Sequence, residues 1–155
     1  LNYTPQSADG SVSVDRALDI NERFEVSLQL WSSLTHKGVL PEPGQFIKKV
    51  PHLSWVKGRA GRNFLAPRQK AMTSNALFEG MEFSEDRSTL DKWLPLISKG
   101  RRHHELMSAT RVEHGSDINF GTLTRSLGKS LSEQTQATLE LNTRVVNLKK
   151  SAVQA

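Results

Sequence analysis

The chain has 155 residues, 36% of them hydrophobic and 24% charged, a length and balance that suit one modest core and exclude disorder throughout. It contains no cysteine, which excludes disulfides and thiolate metal sites and fits a reducing compartment; no apolar run approaches the roughly 18 residues a bilayer span needs, and no basic-then-apolar signal peptide leads the chain. The net charge of +5 permits an anionic partner without naming one, because Lys and Arg are scattered among Asp and Glu along most of the sequence.

From Val14 the apolar residues Ala17, Ile20, Phe24, Leu28, Trp31 and Leu34 recur at spacings of three and four, which predicts one helix with a single apolar stripe. Ser13 or Asp15 can cap its start, and "HKG" at 36 to 38 ends it with a cation in the last turn and Gly38 in the left-handed conformation. "LPEPGQ" is a turn, since two prolines and a glycine deny both helix and ladder. "FIKKVPHLSWVKG", Phe46 to Gly58, has the β-branched and aromatic content of a strand or hairpin, with Pro51 marking an edge, a bulge or a break.

"GRAGRNFLAPRQKAMTSNALF" predicts a basic loop followed by a short helix near Asn63 to Thr73, in which Pro67 is tolerable only in the first turn. In "SEDRSTLDKWLPL", Ser88 with Asp91 three residues on resembles a capping box, and the helix must end or kink before Pro95. "KGRRHHE" is a charged loop and "LMSATRVEH" a strand. In "GSDINFGTLTRSL" Asn119 would cap a helix carrying Leu123, Leu127 and Leu131. "ATLELNTRVVNLKK" reads as two short strands or one bulged strand. The order of elements predicts a mixed α and β chain, α/β in class.

Few of these stretches carry chemistry by themselves. "GSDINFG" lacks the Lys and Ser or Thr of a phosphate loop, and no three closely spaced glycines follow a strand anywhere in the chain; turn geometry explains Gly115 and Gly121. His103 and His104 are adjacent and cannot share a helical face, so no metal site is expected. His52 sits in "VPHLSW", where an imidazole among apolar neighbours must find a partner, structural or functional. The basic segment 57 to 70, "KGRAGRNFLAPRQK", fits phosphate contacts of a non-catalytic module on nucleic acid or anionic lipid, and fits a solvated loop equally well. Arg111, inside a predicted strand, should meet a carboxylate belonging to the protein or to a ligand. A first residue that is Leu and a strand-like end, "VVNLKKSAVQA", give the chain the look of an excised piece.

Seven blocks, "LNYTPQSADGSVS", "VPHLSWV", "NFLAPRQKAM", "LFEGMEFSED", "WLPLISKGR", "ATRVEHGSDINFGTLTRSL" and "TRVVNLKK", resemble in order and spacing the malate:quinone oxidoreductase family. That resemblance implies an FAD-dependent enzyme, peripheral on the cytoplasmic face of the bacterial membrane, which oxidises malate to oxaloacetate and passes electrons to a quinone. It implies an internal fragment of that fold: residues 1–113 from the substrate domain, 114–155 returning to the flavin domain, and the dinucleotide glycines in a segment preceding Leu1. The isolated piece should then be inactive, and copies should associate through the Phe24, Leu28 and Trp31 face or an open strand edge. On the same basis His52 is the expected base or hydroxyl partner and Arg111 the carboxylate clamp. Ser54, Thr110 and Asn119 are neutral donors, and Val145 contacts the FAD adenine through its main chain. Two departures from the family pattern stand out, the very basic "KGRAGR" at 57 to 62 and Pro67. A flavoenzyme acting on another 2-hydroxy acid is the nearest alternative.

Overall fold

A computed structural model of the chain describes Ser7 and residues 10–149. Expectations that fall on residues 1–6, 8–9 and 150–155, including most of the first family block and the end of the strand-like tail, lie outside the described residues.

Helix α1 spans Val14–His36, with the Ser13 hydroxyl accepting the Arg16 N–H at 3.3 Å. It stops as expected, at Gly38 with φ 74°. Its stripe divides between two clusters. Ala17 packs with Met72 and Met81, while Trp31 and Leu34 pack on Leu40, Phe46 and Leu123, with the Trp31 and Phe46 rings edge to face at 6.1 Å. The face expected to drive association is therefore partly used inside the chain.

The segment after the proline turn is one strand, β1 (Ile47–Lys57), and not a hairpin. It pairs antiparallel with β3 (Met107–Ile118), and the register slips between Val50 and His52. Pro51 thus lies on an edge strand opposite a bulge of β3, where Glu113 and His114 both stand against it and its missing donor breaks no regular ladder bond. β3 runs four residues past the expected end at His114. Gly115 accordingly lies within the strand and not in a turn: a Cβ there would stand 2.5 Å from the Val50 carbonyl oxygen, so the bulge demands glycine. The short strand β2 (Glu82–Ser84) pairs with β3 on its other side, giving the order β1-β3-β2.

Helix α2 spans Gly58–Met72, and this corrects the expected loop. It starts directly after β1, where Gly58 takes φ 73° and donates its N–H to the Leu106 carbonyl at 2.8 Å. Pro67 lies inside the helix, against expectation. Leu65, Arg68 and Met72 form a buried stripe on the sheet, and that packing outweighs the bond which Pro67 cannot donate.

Helix α3 (Arg87–Trp93) is capped by Asp86 instead of Ser88; the Asp86 carboxylate accepts the Thr89 N–H at 2.8 Å and the Ser88 hydroxyl at 2.6 Å. The chain breaks before Pro95 and resumes as α4 (Pro95–Ser98). Asn119 caps α5 (Phe120–Ser132) as expected, accepting the Thr122 N–H at 3.0 Å. From Glu133 to Lys149 no strand forms, contrary to the sequence pattern. Leu141, Val145, Val146 and Leu148 are exposed, because alternation makes a strand only where a sheet edge accepts it.

The sheet is covered on both faces. Leu90 and Leu94 pack on Met107 and Ala109 with Leu53, Trp55, Trp93 and Ile97 on one side; Met72, Met81, Ala17 and Phe78 pack on Val112 on the other. The architecture is the mixed α and β type expected. Among the described residues no helix is long and apolar enough to cross a membrane.

Candidate functional site

Alternation along β1 and β3 decides which side chains meet. Past the bulge, His52 stands opposite Val112 and Ser54 opposite Thr110, so these four share the face covered by α2. The helix lays Leu65, Arg68 and Met72 over that face, residues three and four apart on one stripe. Arg68 is only 5% exposed. Burial pulls its guanidinium below the ordinary arginine pKa, and among the described residues it makes neither a hydrogen bond nor an ion pair. The hydroxyls of Ser54 and Thr110 are likewise unbonded among the described residues, although Thr110 is 3% exposed.

His52 completes the group. Burial is the main cause that lowers its pKa from the ordinary 6.5, and the positive charge of Arg68 adds to it. The imidazole is therefore neutral near pH 7 and able to accept a proton. A buried fork of donors, a neutral base and two hydroxyls on a water-poor face make an arrangement for holding an anion beside a group that takes up a proton.

The other expected residues lie elsewhere. Arg111 stands opposite Leu53, on the α3 face, where it pairs with Glu82 at 3.3 Å and with Glu113 and lies over the Trp93 ring, 5.9 Å from its centroid. The carboxylates it meets are the protein's own. Asn119 is committed to the α5 cap, and at about 3.3 Å per residue lies roughly 20 Å along β3 from Val112. Val145 is 73% exposed and belongs to no strand. The structure thus gathers His52, Ser54 and Thr110, and sets Arg111, Asn119 and Val145 apart from them.

Arg68 was not singled out from the sequence, where it was one cation among several in a basic segment. The available signal was its spacing: Leu65, Arg68 and Met72 fall on one helical stripe, an arginine at a position the pattern reserves for the core. Its neighbour Arg62 behaves as a surface cation, paired with Glu85, whose carboxylate also accepts the Ser108 hydroxyl at 3.2 Å.

A pyrophosphate cradle needs a strand-to-helix turn whose glycines let the backbone approach the ligand. At the β1–α2 junction Gly61 instead makes room for Val56, whose Cβ would lie 2.8 Å from a side chain there, and no third glycine follows. The described residues form no pyrophosphate cradle of this kind. No group of three or more His, Asp or Glu among the described residues converges as a metal site.

The fold and this face define a mixed α and β piece that buries an arginine beside a neutral histidine. Comparison with known proteins narrows the class: the family described as malate:quinone oxidoreductase matches residues 1–155. A probable malate:quinone oxidoreductase of Citrobacter koseri is 47% identical over 152 residues, covering 98% of this chain and 28% of the relative. A second such protein of Pseudomonas aeruginosa is 47% identical over 151 residues, covering 97% of this chain and 30% of its own length. A third, of Enterobacter sp. strain 638, is 44% identical over 152 residues, with coverage of 98% and 28%. The chain belongs to the malate:quinone oxidoreductase family and spans less than a third of the length of these relatives.

Proposed function

We propose that the protein to which this chain contributes oxidises malate to oxaloacetate and reduces a quinone to the quinol, with FAD as the electron carrier. The observation that carries this reading is the family match over every residue of the chain. The FAD pyrophosphate is assigned to residues other than those described, which offer no cradle for it. On this reading residues 1–113 contribute to substrate binding and 114–155 lead back toward the flavin domain, with β3 carrying the chain across that boundary. The protein works at the cytoplasmic face of the bacterial membrane as a peripheral enzyme, because quinones reside in the bilayer.

Oxidation of malate at C2 removes the hydroxyl proton and a hydride. The first requires a base within hydrogen-bond reach of that hydroxyl. His52, half-buried and held neutral, has the protonation state for it, and Ser54 and Thr110 supply donors on the same face. Water exclusion by α2 strengthens each of these interactions.

The test uses the full-length protein. Malate should drive reduction of a soluble quinone analogue, and His52→Asn should lower kcat by about 10²- to 10⁴-fold while flavin content stays at the wild-type level. A protein that purifies with flavin but oxidises lactate or another monocarboxylate in preference to malate would overturn the substrate assignment; no malate-dependent quinone reduction at all would overturn the activity.

A further inference from the structure

Arginines in this chain follow a pattern with one exception. Of those that are not exposed, Arg87 pairs with Asp91 at 2.8 Å, Arg101 with Glu105 at 3.0 Å, and Arg111 with Glu82 and Glu113. Arg68 is the most buried of them and has no carboxylate among the described residues. Removing a guanidinium from water without a counter-charge is strongly unfavourable, so the anion that Arg68 meets comes from outside the described residues. No described carboxylate on this face is spare, since Glu85 already serves Arg62 and Ser108.

We propose that the Arg68 guanidinium binds a carboxylate of the substrate, with the hydroxyls of Ser54 and Thr110 meeting the oxygen lone pairs that the fork leaves over. The inference rests on the reading of the protein as a malate oxidiser and adds the residue that recognises the substrate as an acid. A guanidinium grips a carboxylate through two parallel N–H donors, and burial sharpens the grip by keeping water from competing. Because α2 fixes Arg68 against the strand that carries His52, the bound carboxylate is held on the face where the hydroxyl proton leaves. Arg68 thereby positions the substrate and does not itself transfer a proton.

The experiment compares full-length wild type with Arg68→Met, which keeps the bulk of the side chain, and Arg68→Lys, which keeps the charge and loses the fork. A charge-assisted pair lost without compensation should raise KM for malate about 100-fold in the Met variant; the Lys variant should fall between, and flavin content should not change. Malonate, as an unreactive dicarboxylate, should raise the unfolding temperature of wild type and not of the Met variant at matched ionic strength. A folded Met variant with wild-type KM and wild-type malonate protection overturns the proposal. So does failure of the Met variant to fold when Arg68→Lys restores folding together with wild-type KM, and so does failure of both to fold, because the counter-charge is then a carboxylate of the protein. If wild type does not oxidise malate yet loses malonate protection on Arg68→Met, the malate reading fails and the carboxylate site stands.

Discussion

At the residue scale the decisive fact is which face of the sheet each side chain takes, and a single residue sets it. Before the bulge Val50 faces Gly115; carried on without a slip, that register would put Ser54 opposite Arg111 and bring Arg111 onto the face of His52. The extra residue in β3, where both Glu113 and His114 stand against Pro51, puts Leu53 opposite Arg111 instead, and a one-residue shift exchanges faces. Arg111→Ala should therefore leave KM for malate near wild type and lower stability, by up to about 1 kcal/mol for partly exposed pairs, read from denaturant unfolding of the full-length protein. A large rise in KM without loss of stability would move the substrate to the α3 face. His52 gives a second prediction. Its folded pKa lies below 6.5, so between that pKa and 6.5 the unfolded chain binds more protons and stability falls as pH drops through this window. kcat/KM should fall in the same direction, as the base becomes protonated. Unfolding temperature against pH should flatten there in His52→Asn; an unchanged slope would separate His52 from the acid limb.

At the scale of elements, caps and breaks were legible because they are local. Ser13, Gly38 and Asn119 act where the sequence put them through bonds to residues three away, and Pro95 breaks the chain there because it has no N–H to donate. The cap of α3 moved by two residues to Asp86, whose carboxylate is held at a pKa of about 2 by the Ser88 and Thr89 hydroxyls and the Thr89 N–H. Helix α2 departs further, since both its early start and its internal proline defy local preference. Its stripe of Leu65, Arg68 and Met72 on the sheet explains why it forms regardless. Pro67 is on the exposed side, and restoring the N–H that would bond the Asn63 carbonyl should help: Pro67→Ala is expected to stabilise by about 1–3 kcal/mol, measured by urea unfolding. A loss of stability would show that the pyrrolidine ring packs on something that Ala cannot replace.

At the scale of the whole molecule, a three-stranded sheet covered on both faces sits beside apolar residues that nothing described covers, Leu96 and Leu148 among them. That balance accords with a chain spanning less than a third of its relatives' length. The sequence by itself determined the long first helix, the strand carrying His52, the caps of α1 and α5 and the family, because periodicity, capping and family blocks are written in consecutive residues. Only the tertiary structure decided that α2 starts at Gly58, that residues 133–149 form no strand, and that Arg111 and His52 occupy opposite faces. It also brought Arg68 beside His52. These outcomes depend on what lies across the sheet, on whether an edge is open to pair and on the register imposed by one bulged residue, and none of those is encoded within reach of a local pattern.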